Sequence, residues 1–386
     1  MQTQASPNVV SSTVKGIDVG KIEKELSSLW QQTTGAGKEE GSGVTRACVL
    51  NLLVYAGAQD ERAEIERILD EVVDQNPCRA LILIADEEAS EAKLDAHVSS
   101  RSRELDKGVH QICGEQVTVE ASGAATKSVA SAFAPLLVPD VPVFLWWKDI
   151  PHYEDKLFDR LTAMADRLVI DSCAFDHPHD DLTRLAALIK ERPDFVRVTD
   201  LNWGRLTTWR TLIASFWDVP DYRPVLDKID RITVEYDPPD VAHDEVAANA
   251  FLIVGWLASR LGWKVDSASS LQTGDGRSVI LRAKDGHAIN VELRAGEDKE
   301  GSDGLLGSVT LTTEASGAKF YVGLSSDGKK LETQADIGEK HSVGRVLAYE
   351  ARTEGQRLSR ELSFLARDAI YEAAVASAAE MLSALK

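Results

Sequence analysis

Trp203, Arg205, Trp209 and Arg210 stand within eight residues of one another, in the string Asp200-Leu201-Asn202-Trp203-Gly204-Arg205-Leu206-Thr207-Thr208-Trp209-Arg210. Planar guanidinium groups clamp a carboxylate or phosphate through paired N–H bonds, and indole faces stack on a sugar. The same two residue types also dominate protein–protein hot spots. Trp146, Trp147 and Lys148 make a second group of this kind. Residue chemistry leaves the small-ligand and protein-interface readings level. A blander one stands beside them: Leu206, Trp209, Ile213 and Phe216 recur at three- and four-residue steps, the core face of an amphipathic helix whose arginines snorkel to water. Asp200 or Asn202 can cap such a helix.

Other candidate chemistry is weaker. Asp171, Cys173, Asp176, His177, His179, Asp180 and Asp181 offer zinc-ligand types in a short span, but no second cluster completes a four-ligand set, and Pro178 reads as loop chemistry before a helix. We therefore expect no metal. Neither H-E-x-x-H nor G-x-S-x-G is present. The glycine-rich stretch Gly35 to Gly43 fails as a nucleotide loop: Glu40 stands where the dinucleotide fingerprint needs Gly, and Glu39 where a phosphate loop needs Ser or Thr. It reads as a flexible linker, and no cofactor is expected.

The elements that must carry these residues alternate. Apolar runs at 48–55, 79–84, 139–148 and 167–171 read as buried strands, and 93–104 and 109–120 as longer extended segments. Amphipathic helices are expected at 22–30, 60–73, 126–137, 155–164 and 180–189, with a mobile polar start up to about Gly16. This pattern predicts an α/β domain over residues 1–220, a mostly parallel sheet flanked by helices. Trp146, Trp147 and Lys148 close one predicted strand, Asp171 and Ser172 another, and the Trp203 string follows a third. Ligand clefts open at such carboxyl ends, so the three could share one edge. Over 221–386 the character turns α+β. A strand at 229–236 precedes a buried helix from Val241 to Leu261, with Asp240 as its cap. Asp275-Gly276, Asp285-Gly286, Ser316-Gly317 and Asp327-Gly328 then signal an antiparallel meander. A closing helix from Gly355 to Leu385 carries Leu358, Leu362, Leu365 and Ala369 on one side.

Composition narrows the classes. The chain has 386 residues, 44% hydrophobic and 27% charged, with a net charge of -19. So acidic a chain lacks the basic footprint of a nucleic-acid binder and is repelled by an anionic membrane. The run Ala247 to Ala258 is too short to span a bilayer. No signal-peptide pattern opens the sequence, and Cys48, Cys78, Cys113 and Cys173 form no C-x-x-C pair, so a cytoplasmic protein is expected. Three methionines argue against a broad, adaptable chaperone surface.

The segments Val141-Pro142-Val143-Phe144-Leu145-Trp146-Trp147, Ala165 to Ser172, and the Asp-Leu-Asn-Trp-x-Arg-Leu-x-x-Trp-Arg string resemble the glucose-6-phosphate dehydrogenase assembly protein family, OpcA. The resemblance implies a non-catalytic partner that assembles or activates that dehydrogenase. It makes Trp203, Arg205, Trp209 and Arg210 the first candidates for partner contact, and Trp146, Trp147 and Lys148 the second. Redox control is associated with some members; the cysteines here do not announce it. The alternative is a sugar-phosphate-binding enzyme or sensor with an Arg/Trp-lined cleft.

Overall fold

The computed structural model describes residues 8–15, 17–35, 48–104, 111–152, 154–192, 197–273, 276–296, 305–337, 340–342, 344–349 and 352–385. Most of the Gly35–Gly43 linker and the Asp275 turn lie outside them, as does the side chain of Cys113. Packing divides the chain into two compact units: residues 1–170, 192–199 and 353–367 form one, and residues 171–191, 200–352 and 368–386 the other.

The first unit is built on an eight-stranded sheet. Its strands are β1 (Asn8–Lys15), β2 (Leu50–Gly57), β3 (Cys78–Asp86), β4 (Lys93–Glu104), β5 (Gln111–Ser122), β6 (Val143–Trp147), β7 (Arg167–Ile170) and β8 (Arg197–Asp200). They lie in the order β1-β4-β5-β3-β2-β6-β7-β8. From β5 through β7 every pairing is parallel, and β1 and β4 add an antiparallel edge. The central strands read as unbroken apolar runs because both of their faces are covered: Leu52, Leu53, Leu81, Leu83, Phe144, Leu145 and Leu168 are all buried. The flanking helices α1 (Val19–Gly35), α2 (Arg62–Gln75), α3 (Thr126–Phe133) and α4 (Lys156–Thr162) supply that cover. One expectation is corrected here. The polar start is not loose, because residues 8–15 pair along their whole length with Asp95–Ser102 of β4. Val9, Val10, Thr13 and Val14 are β-branched and suit a strand once a partner ladder satisfies the backbone.

Among the described residues the second unit holds a nine-stranded sheet and six α-helices: α5 (Pro178–Glu191), α6 (Leu201–Arg205), α7 (Thr207–Ser215), α8 (Arg223–Leu226), α9 (Ala248–Leu261) and, after a helix α10 (Glu354–Glu361) that belongs to the first unit, α11 (Ala369–Leu385). Its strands are β9 (Arg231–Tyr236), β10 (Lys264–Thr273), β11 (Gly276–Arg282), β12 (Ala288–Ala295), β13 (Leu306–Thr313), β14 (Ala318–Leu324), β15 (Lys330–Ile337), β16 (Lys340–Ser342) and β17 (Val346–Ala348). The order is β10-β11-β12-β9-β13-β14-β15-β16, with β17 also on β15; among the described residues only β12–β9 is parallel. The expected turns at Asp285-Gly286, Ser316-Gly317 and Asp327-Gly328 join successive strands. At Gly317 and Gly328 φ is 63° and 67°, the left-handed region such turns require.

Two helix boundaries differ from the sequence reading. The buried helix starts at Ala248 and not at Val241, because backbone and side chains just before it are engaged elsewhere. Val246 N–H donates to His179 Nε2 at 2.8 Å, and the Glu245 carboxylate accepts from the backbone N–H of His179 at 2.7 Å. The closing helix is broken at 362–368 into α10 and α11. Helices α9 and α11 lie side by side, and Gly255 is the point of closest approach: a Cβ there would run into the carbonyl oxygen of Ala374. Backbone cannot swing aside as a side chain can, so Gly255→Ala should cost about 1–3 kcal/mol in urea unfolding despite its higher helix propensity.

Candidate functional site

The Asp200–Arg210 string folds as expected at its start. Asp200 caps α6 by accepting from Asn202 N–H at 2.9 Å. Its carboxylate also accepts from Ser172 N–H at 3.0 Å, Ser172 Oγ at 2.6 Å and Tyr371 Oη at 3.1 Å. The group is fully buried. Burial, with the charge of Asp171 second, pushes its pKa up to about 6, against the pull of the bonds from Ser172 and Asn202. Burial and the neighbouring Asp200 likewise raise Tyr371 well above the ordinary phenol range. Asn202 Nδ2 closes the ring by donating to Ser172 Oγ at 3.0 Å.

Arg205 leaves this ring to meet Asp171. Its Nη1 and Nη2 donate to the two carboxylate oxygens at 2.5 and 2.7 Å, a forked pair with each side chain 15% exposed. Burial works against the guanidinium charge, but Asp171 outweighs it and raises the Arg205 pKa above its usual value.

Trp203 is buried and donates from Nε1 to Asp368 Oδ2 at 2.9 Å. The other oxygen of Asp368 accepts from the backbone N–H groups of Ile370 and Tyr371, so the residue caps α11. On the indole lies the guanidinium of Arg210, 3.5 Å from the ring centroid, a close cation–π stack. Arg210 Nη2 also donates to Trp203 O and Thr207 Oγ1, each at 3.2 Å. Trp209 is buried one turn along. Beyond it Phe216 and Trp217 pack on Phe320 of β14, at centroid distances of 5.3 and 4.7 Å.

Trp203, Arg205, Trp209 and Arg210 are thus brought together in the second unit, while Trp146, Trp147 and Lys148 belong to the first. There Trp147 stacks on Tyr55 with centroids 3.7 Å apart and meets Phe158 edge-on. Its Nε1 has no hydrogen-bond partner among the described residues. Trp146 is buried, and Lys148 Nζ lies 5.1 Å from its ring centroid and 3.4 Å from Asp60 Oδ1. In the chain by itself, then, all four indoles are packing groups. The parts that stay partly open are Arg205, Arg210 and Lys148. Sequence reading missed Tyr371 and Asp368, which lie some 170 positions from the motif they hold; only the Asp368 cap before an apolar helix is locally readable.

The Cys173–Asp181 stretch opens as loop and helix: Asp171 accepts from Cys173 N–H, and residues from Pro178 onward form α5. Among the described residues no three His, Cys, Asp or Glu side chains converge as a ligand set. No helix among them is long and apolar enough to cross a membrane. Cys48, Cys78 and Cys173 are not joined in disulfides.

Comparison with known proteins divides the chain into two contiguous stretches, unlike the interleaved packing units. Residues 69–187 match the family model described as glucose-6-phosphate dehydrogenase subunit N-terminal domain, and residues 196–375 match its C-terminal domain counterpart. The chain belongs to the OpcA family. The OxPP cycle protein OpcA of Nostoc punctiforme is 36% identical over 266 residues, which cover 68% of this chain and 52% of that one. The chain thus matches about half the length of the Nostoc OpcA. The OpcA of Synechocystis sp. is 27% identical, with 97% of this chain and 93% of that one covered. Among solved structures, KijD10, a 3-ketoreductase from Actinomadura kijaniata, covers 88% of this OpcA chain with 97% of its own at 12% identity and a TM-score of 0.47. That level of likeness carries no inference about chemistry.

Proposed function

We propose that this chain is a non-catalytic assembly factor and allosteric activator of glucose-6-phosphate dehydrogenase in the cytoplasm, acting by binding the enzyme and stabilising its active state. The observation that carries the reading is the pair of family models, which together reach from residue 69 to 375 and are both described as parts of a subunit of that dehydrogenase. An activator shifts a population only through differential affinity, so the chain must grip the competent enzyme more tightly than its inactive or dissociated form. We assign that grip first to the segment bearing Trp203, Arg205, Trp209 and Arg210, and second to Trp146, Trp147 and Lys148. The indoles and the Arg205–Asp171 fork hold the segment in shape, and the partly open Arg210 and Lys148 reach the partner. The sugar-phosphate sensor is disfavoured because the Arg205 fork already holds Asp171 on both arms.

The test is a kinetic titration of purified dehydrogenase with this chain. The Michaelis constant for glucose 6-phosphate should fall by roughly 5- to 150-fold at saturation, the range of a 1–3 kcal/mol coupling. The chain alone should turn over no glucose 6-phosphate. A dehydrogenase whose kinetics and sedimentation ignore the chain would remove the proposal.

A further inference from the structure

The break between α10 and α11 has an unusual outcome for its side chains. Leu358 and Leu362 lie on the apolar stripe of α10 and are buried. A continuous helix would carry Leu365 onto that same face, one turn beyond Leu362. Instead the helix stops, and Phe364 and Leu365 stand 52% and 47% exposed. Single exposed apolar residues are ordinary, but two large neighbours on one turn call for a reason.

The turned-out loop is fixed by its backbone. Ser363 and Phe364 N–H donate to the carbonyls of Arg360 and Glu361, closing the end of α10. Arg197 Nη1 donates to the Leu365 carbonyl at 3.3 Å, and Arg167 Nη2 donates to that of Ala366. The Arg167 side chain is almost wholly buried, at the start of β7. A buried guanidinium committed to the carbonyl of an exposed loop sets that loop before any partner arrives, which lowers the ordering cost of binding. All of these residues belong to the first unit.

The electrostatic setting is also distinct. In a chain of net charge -19, the stretch 352–368 carries Arg352, Arg357, Arg360 and Arg367 against Glu354, Glu361 and Asp368, and Asp368 is taken up by Trp203 and the start of α11. Arg197 and Arg367 are exposed. An apolar pair in a basic surround complements an apolar hollow rimmed by carboxylates.

We propose that Phe364 and Leu365 form a preset docking knob for such a hollow on a partner protein. With the function read as above, that partner is the dehydrogenase, and the inference rests on that reading. An anionic bilayer is disfavoured by the overall charge of the chain, and two copies of so acidic a chain repel one another on approach.

The experiment measures the affinity of the full-length chain for purified dehydrogenase by calorimetry at low and moderate salt. Wild type is set beside Phe364→Ser/Leu365→Ser and, separately, Arg367→Glu. Circular dichroism of both variants should match wild type, since the substituted side chains are exposed. The double variant should lose at least about 30-fold in affinity, as removal of an interface anchor does. Arg367→Glu should lose less, and its affinity should respond less to salt. Variants that bind as wild type does would sink the knob and leave the partner untouched. If wild type itself does not bind the enzyme, the functional reading falls first and takes the knob's occupant with it. Two further results would overturn the proposal by naming another occupant. One is a wild-type dimer in sedimentation that the double variant lacks; the other is capture of wild type alone by phosphatidylserine vesicles.

Discussion

Asp200→Ala should lower the unfolding free energy by about 3–5 kcal/mol, the largest stability loss expected of any single polar change in this chain. The carboxylate receives four donors, from Ser172 N–H, Ser172 Oγ, Asn202 N–H and Tyr371 Oη, in a fully buried place. Alanine leaves all four facing a void without their acceptor. Urea unfolding followed by circular dichroism reads the effect directly, and a loss under about 1 kcal/mol would show that the network relaxes onto other acceptors. Asp200→Asn separates shape from charge. The folded pKa of about 6 lies above the ordinary 3.8, so between those values the folded chain holds a proton that the unfolded chain has released. The sign follows from linkage: this contribution is fully present below about pH 4 and is lost as pH rises through about 6. The stability advantage of wild type over Asp200→Asn should therefore shrink from pH 4.5 to pH 7. An advantage that stays level over that window would mean the four donors outweigh burial and keep the group ionised.

The second large effect is expected at Trp203. Trp203→Ala removes a buried indole that Arg210 covers at 3.5 Å and that ties itself to Asp368, and it should cost about 3–5 kcal/mol. Trp203→Phe keeps an aromatic face under Arg210 and loses the Nε1 bond, so about 1 kcal/mol is expected. Asp368 retains its two backbone donors in that variant, which limits the penalty. If Trp203 acts by holding the segment, Trp203→Phe should activate the dehydrogenase as wild type does. A stable Trp203→Phe that no longer binds the enzyme would instead mark the indole edge as a direct contact.

Much of this was legible before the structure. The buried strands through Leu52, Leu81, Phe144 and Leu168 announce themselves as apolar runs, and a cap at Asp200 or Asn202 follows from their position before a periodic segment, the structure choosing Asp200. What escaped has physical reasons. Residues 8–15 lack an apolar run, and their strand exists because β4 offers a ladder, which is a fact about a partner ninety positions away. The helix pattern from Gly355 to Leu385 is unbroken in period, yet two arginines on β7 and β8 take the carbonyls that would continue it. At the candidate site, the type and order of Trp203, Arg205 and Arg210 were plain. Their mates Asp368 and Tyr371 were not, because helix periodicity records which face is apolar and never what that face meets.

The threading of the two units bears on how the polypeptide must be made. A nascent chain leaving the ribosome has the first sheet nearly whole by residue 170, but β8 and α10 arrive only with residues 192–199 and 353–367. The other unit waits still longer, for the helix that lies against Gly255. Neither unit is therefore made as one unbroken stretch, as successive domains commonly are. Until β8 is made, the β7 edge of the first sheet has no partner, and α9 stays uncovered until α11 follows, so the growing polypeptide exposes surfaces that the finished fold hides.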